Sequence, residues 1–250
     1  MRKKSRLSRW LVDRYGARVR DFFNRIVIKS SLLDDREVFE SADFAYLRPL
    51  EAHWLEIRRE ADQLVEQIEA IPPLGDVSPD HRRLDYTGKW RAYFLWGYGL
   101  RADRNCDQCP VTASLVDKIP GLLTAMYSIH QPGAHLPRHR GVTKGMLTYH
   151  LGVRVPEDKS QCFIRVEDRN YNWQEGQFFV FDDTRHHEVF NHSQTPRVVL
   201  LLHIRRPLRF PGSWIQNVFF WGIQRSPFVQ DAKSNIEEWA REMDKKMSVV

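Results

Sequence analysis

Long apolar runs are scarce in this 250-residue chain. The stretch Val198–Leu202 falls far short of the ~20 residues that a spanning helix needs, so no transmembrane helix is expected. The N-terminus has no apolar block of roughly 7 residues among its charges, so it does not read as a secretory signal and a cytoplasmic protein is expected. Cysteine is also rare. The three residues present are expected as reduced thiols in that compartment. Cys106 and Cys109 form a CxxC, but a zinc site needs a second pair and only Cys162 remains, so they read as an incidental pair in a loop. There is no internal repeat and no low-complexity tract. Ile71–Pro79 is the only linker candidate, and it is too short to divide the chain into two equal domains.

What is present is unevenly distributed. Residues 1–29 hold ten Lys/Arg against Asp13 and Asp21, a charge of plus 8; set against plus 6 for the whole chain, this leaves minus 2 for the rest. From Leu7 the apolar residues Trp10, Leu11, Tyr15, Val19, Phe22, Phe23, Ile26 and Val27 recur at three- and four-residue steps with arginines between them. This spacing predicts a basic amphipathic helix, interrupted near Gly16. Such a helix fits an anionic membrane interface, or packs its stripe on the domain and leaves its arginines in water. No nucleic-acid-binding motif accompanies it, and nucleic acid is not the expected partner.

Pro49 opens a second predicted helix, in which Leu50, Trp54, Ile57, Ala61, Leu64 and Ile68 form a core-facing stripe that ends before Ile71-Pro72-Pro73. Lys89–Gly97 alternates as a strand, and Val111–Ile119 reads as a short helix. Short strands then follow at turn-bounded intervals: Thr124–His130, Gly145–Val153, Cys162–Glu167, Gln177–Phe181, Glu188–Phe190 and Arg197–Arg205. That rhythm predicts a sandwich or jelly roll. In the tail, Trp214 to Ile223 is an aromatic cluster read as core or dimer contact in preference to a membrane or acyl-chain surface, and Ala232–Met247 reads as a helix with Ile236, Trp239, Ala240 and Met243 inward. Four parts result: a basic segment 1–29, a helical part 30–84, a β domain 85–212 and a helical extension 213–250.

Most of the ten histidines fall between residues 126 and 206. Clustered imidazoles raise the prospect of a metal site. Alternation along Arg197–Arg205 puts Arg197, Val199, Leu201 and His203 on one face. A guanidinium among apolar neighbours requires an anionic partner, for which a carboxylate suits its planar fork. By the same parity Thr148, His150 and Gly152 share a face, where His150 can add a donor.

The phrases SIHQPGAHLPRHRG, MLTYHLGV, NWQEGQFFVFDDTRHHEVFN and PRVVLLLHIRRP resemble the aspartyl/asparaginyl β-hydroxylase family of iron(II)- and 2-oxoglutarate-dependent dioxygenases, over roughly residues 85 to 210. The resemblance implies an α+β protein with a double-stranded β-helix (jelly roll, cupin-like) core and flanking helices. It implies His139 and His187 as the two iron ligands, with no carboxylate ligand between them, and His186 pointing away. It also implies Arg197, Ser128 and His150 as contacts to 2-oxoglutarate, Asp183 as an acid beside the metal that orients a water, and O2 as co-reactant. Where the family pattern has an arginine two residues before His150, this chain has Thr148; Lys144 or Arg140 is available to replace that charge.

KWRAYFLWGYG, NYNWQEG and RRPLRF, with the basic N-terminus, resemble the bacterial branch that hydroxylates C2 of acyl chains on lipid A or ornithine lipids. An acyl-lipid hydroxylase, peripheral at the inner face of the cytoplasmic membrane through residues 1–29, is the expectation. A peptide-directed aspartyl/asparaginyl hydroxylase and a non-catalytic jelly-roll binding protein remain as alternatives.

Overall fold

A computed structural model describes residues 6–78 and 81–247, with the side chains of 18–78, 81–226, 229–239 and 241. In chain order, α1 (Arg6–Lys29), β1 (Val38–Phe39), α2 (Arg48–Ala52), α3 (Trp54–Glu66) and α4 (Leu74–Val77) precede the strand-rich part. Next come β2 (Trp90–Gly97), β3 (Leu100–Arg101), α5 (Asp103–Gln108), α6 (Pro110–Val116), β4 (Leu122–His130), β5 (Ala134–His139) and β6 (Met146–Arg154). The chain continues through β7 (Cys162–Val166), β8 (Arg169–Tyr171), β9 (Phe178–Phe181), β10 (His187–Asn191) and β11 (Arg197–Arg205) to α7 (Gly212–Gln224) and α8 (Pro227–Met247).

The strands form two antiparallel sheets, a large one ordered β1-β9-β6-β11-β4-β2-β3 and a small one ordered β5-β10-β7-β8. This is the expected double-stranded β-helix. The most apolar strand, β11, lies at the centre of the large sheet between β4 and β6, because both of its faces are covered. Val198, Leu200, Leu202 and Ile204 face a core completed by Leu50, Ile57, Ala61 and Leu64 of α2 and α3 and by Val116 of α6. Val199 and Leu201 face the small sheet, meeting Leu136, Ile164, Val166 and Val189.

Several sequence expectations need correction. The helix predicted from Pro49 breaks at His53 and resumes at Trp54. Glu51 just before the break accepts the backbone N–H of Phe178 (3.2 Å), tying α2 to the sheet edge. The predicted interruption at Gly16 is absent, since α1 is continuous. Strand β5 was invisible in the sequence because it contains Pro137; it is an edge strand of the small sheet, the position where a missing N–H is tolerated. The aromatic tail is α7, and of its cluster only Phe220 is fully buried, while Trp214, Val218 and Trp221 stand in solvent. In α8, Ile236 and Trp239 are half-buried; Ala240 and Met243 lie outside the described side chains. No helix among the described residues is long and apolar enough to cross a membrane.

Candidate active site

Between the sheets lies a cavity of about 450 Å³, and Ser128, His139, His150, Asp183, His187 and Arg197 all line it. Strand pairing accounts for the convergence. His139 ends β5 and His187 begins β10, and the two are register partners. Their rings come together with centroids 4.1 Å apart. On the large sheet, Ser128 pairs with Val199, and His150 with Leu201, so both stand on the inward face of β11 that carries Arg197.

The two histidines are oriented alike. His139 Nδ1 is 2.8 Å from the carbonyl of Pro137, and His187 Nδ1 is 3.0 Å from that of Arg185. A carbonyl only accepts, so each Nδ1 carries the proton and each Nε2 keeps a lone pair for a ligand. Burial pushes the His187 imidazolium down to about 3, helped by His139, and burial also lowers His139. Both rings are therefore neutral near pH 7, the form that binds a metal ion. His186 points outward toward Glu167, and His135 is held by Glu188 at 2.8 Å, so neither belongs to the pair. Among the described residues no group of three or more His, Cys, Asp or Glu is arranged to hold a metal.

Asp183 owes its orientation to its neighbour. Asp182 is fully buried and receives Arg206 at 2.6 Å and Lys144 at 3.0 Å, while its other oxygen accepts Thr184. With Asp182 turned away, Asp183 faces the cavity. Burial raises its carboxyl to about 7, and Asp182 adds to the rise. Its backbone carbonyl accepts the N–H of Gly141 (2.7 Å). A Cβ at Gly141 would lie 2.4 Å from the Asp183 carboxylate, so only glycine allows this approach. Lys144, a candidate to replace the missing arginine, is committed to Asp182 and Asp35 and is absent from the cavity wall, whereas Arg140 lines it.

The opposite end of the cavity is built for an anion. Arg197 is 1% exposed, yet its Nε and Nη1 have no hydrogen-bond partner. Its guanidinium lies over the Trp173 ring, 4.4 Å from the centroid. Burial lowers its pKa to about 10, with Cys162 acting in the other direction. His150 Nδ1 accepts the Trp173 indole N–H (3.2 Å), which puts its proton on Nε2, and that atom too is unpartnered. Ser128 Oγ accepts the Trp90 indole N–H (3.0 Å) and keeps its own hydroxyl proton to donate. An unpaired buried guanidinium is expensive, and a dicarboxylate would satisfy it together with the two neighbouring donors. The residues present thus fit both groups, a metal at the two Nε2 atoms and a carboxylate at Arg197.

Sequence reasoning gave no role to three wall residues, His130, His203 and Trp90, nor to Trp173, which packs against Arg197 and His150. A signal existed for two of them. His203 shares parity with Arg197, and His130 is the register partner of Arg197 on β4.

Residues 51–207 match the profile of a family described as aspartyl/asparaginyl beta-hydroxylase. The chain is 34% identical over 240 residues to an ornithine lipid ester-linked acyl 2-hydroxylase of Rhizobium tropici, covering 92% of this chain and 84% of that protein. It is 30% identical over 166 residues to the human aspartyl/asparaginyl beta-hydroxylase, covering 64% of this chain but only 21% of that longer protein. Among solved structures, a Pseudomonas putida prolyl-4-hydroxylase superposes with a TM-score of 0.40 at 15% identity, covering 63% of this chain and 88% of that one.

Proposed function

The chain belongs to the aspartyl/asparaginyl β-hydroxylase family, and from that premise we propose that it is an iron(II)- and 2-oxoglutarate-dependent dioxygenase hydroxylating C2 of an acyl chain on a membrane lipid. The ester-linked chain of an ornithine lipid is the first candidate substrate and lipid A the second.

His139 and His187 would hold the iron through Nε2, and Asp183 stands on the same wall as a hydrogen-bond acceptor. Arg197, the Ser128 hydroxyl and His150 Nε2–H would hold 2-oxoglutarate. Together with O2, these two groups supply the oxidising power for an unactivated C–H. The chain's own residues bind, orient and exclude water. Trp173 holds the Arg197 guanidinium and the His150 tautomer at once, so one side chain prepares both anion contacts. The Thr148 position leaves Arg197 as the buried guanidinium of the cavity, with Arg140 at its exposed rim.

The observation that supports a lipid over a peptide is the largely apolar wall that β2, β4, α7 and α8 give the cavity. Phe94, Leu100, Met126, Met146, Ile223 and Ile236 line it, with Arg101, Lys233 and Glu237 as the charged side chains among them. A polar peptide would leave its backbone groups unpartnered along such a wall, whereas an acyl chain would not. Residues 1–29 would hold the enzyme on the inner face of the cytoplasmic membrane. His139→Ala and His187→Ala are each expected to abolish substrate-coupled 2-oxoglutarate turnover and the gain of one oxygen atom on the acyl chain, read by mass spectrometry, while circular dichroism stays native. Full activity in either variant would sink the metal assignment. Oxygen gain on an Asp- or Asn-containing peptide but on no lipid would favour the peptide-directed alternative.

A further inference from the structure

The apolar side chains of α7 point in two directions. Phe220 is buried and Ile223 lines the cavity, but Trp214, Val218 and Trp221, spaced by four and three residues, form a stripe on the outer side with exposures of 62%, 48% and 58%. Helix α1 packs beside α7, with the Gly212 N–H donating to Ser30 Oγ at 3.1 Å. It carries a stripe of its own, in which Val19, Phe22 and Phe23 are 52%, 57% and 43% exposed. Phe210, two residues before α7, is 80% exposed. Water-exposed aromatics are ordinary one at a time; contiguous groups of this size mark a surface that something covers.

Charge identifies the occupant. Residues 18–30 and 207–226 present Arg18, Arg25, Lys29, Arg209 and Arg225 as exposed cations. Asp21 is their sole acidic residue, and Arg20 pairs with it at 3.0 Å. The Arg225 guanidinium lies 4.3 Å from the centre of the Trp221 ring, so cation and aromatic are presented together. A second copy of the chain meeting this face by a two-fold axis would bring cations against cations. An anionic bilayer instead takes the rings into its acyl boundary and the cations among its phosphates.

We propose that α1 and α7 together form a docking face for an anionic bilayer, with α7 contributing the tryptophans that enter it. The face adjoins the cavity rim. Asn24 of α1 donates to the Val142 carbonyl (3.2 Å) and accepts the Lys144 N–H (2.9 Å), and Val142 is both exposed and part of the cavity wall. A docked enzyme thus presents the rim of its largely apolar cavity next to the lipid. The docking rests on the surface itself; that it delivers an acyl chain rests on the proposed function.

Sedimentation of the full chain with vesicles of phosphatidylglycerol and phosphatidylcholine tests the face. Wild type is expected to bind, more weakly as salt rises, and Trp214→Ser/Trp221→Ser is expected to weaken binding by at least about tenfold although α1 is intact. Acyl-brominated lipid should quench wild-type tryptophan fluorescence more than that of Trp214→Phe/Trp221→Phe. Binding of the serine variant equal to wild type, absence of wild-type binding, or a variant that only turns a dimer into a monomer would each overturn the proposal. Hydroxylation of lipid dispersed in detergent is expected to survive both double substitutions. If wild type docks but hydroxylates no lipid in detergent, the proposed function fails and the docking face stands.

Discussion

On the helix-packed face of the large sheet, Glu60 is buried beneath α6, yet its carboxylate accepts the N–H groups of Val111 (2.7 Å) and Thr112 (3.0 Å) and the Thr112 hydroxyl. Tyr127 joins the same group through Thr112 Oγ1 and the Ile57 carbonyl. On the opposite face, Arg197, His130, His150 and Asp183 are equally buried, and each has at least one side-chain atom with no partner. Both faces belong to one sheet, and a buried polar group left unpaired costs about 1 to 3 kcal/mol, more when charged. Unpaired groups gathered around one cavity, with Thr148 beside these four, therefore identify the face whose partners come from outside the chain.

Substitution of the charge on each face should have opposite effects on stability, and the largest expected change is in activity. Arg197→Met removes the guanidinium that would bind the cosubstrate, so half-saturation should need about a hundredfold more 2-oxoglutarate or worse. The ligand-free protein should become no less stable, or gain roughly 1 kcal/mol, because a desolvated unpaired charge is replaced by an apolar side chain of similar length. Titration of 2-oxoglutarate turnover and urea unfolding of the ligand-free protein provide the two readings. A large loss of stability in Arg197→Met would mean that the chain itself satisfies the guanidinium.

Glu60→Leu should do the reverse. It leaves the Val111 and Thr112 N–H groups without acceptors at the start of α6, so stability should fall by roughly 3 kcal/mol. The half-saturating 2-oxoglutarate concentration of the folded fraction should not change. An altered cosubstrate requirement would couple the two faces and weaken the comparison.

The two faces were unequally legible in the sequence. Strict alternation in β11 announced both the strand and the odd placement of Arg197, because a charge in an apolar run violates the local pattern. His139 and His187 came through resemblance, and their common tautomer depends on the carbonyls of Pro137 and Arg185, which no spacing rule reports. Glu60 lies outside the apolar stripe that marks its helix, and its role depends on α6 arriving from about fifty residues away. Trp173 lies in a stretch between strands, where periodicity is silent. The α7 cluster was only partly resolved, because composition cannot tell a buried aromatic from an exposed one; Phe220 and Trp221 are neighbours with opposite fates.

The smallest expected effect is the dependence of stability on pH, which should originate on the cavity face. Burial lowers His130, His139, His150, His187 and His203, with His187 near 3 and His203 near 4. Their ordinary value is 6.5. As pH falls below that, the unfolded chain takes up protons that the folded chain refuses, so stability is lost by up to about 1.4 kcal/mol per pH unit for each histidine. Asp183 acts in the opposite sense. Its raised carboxyl contributes stability below 3.8 that is lost as pH rises through about 7. Five imidazoles outweigh one carboxyl, and the metal-free protein should therefore weaken between pH 6.5 and pH 4. His203→Leu removes one of the five without touching the proposed iron ligands, and should flatten the dependence by close to one proton. Urea unfolding of both proteins at pH 7 and pH 5 measures the slope; equal stability of the wild type at the two values would show that the cavity histidines are already protonated or solvated in the folded state.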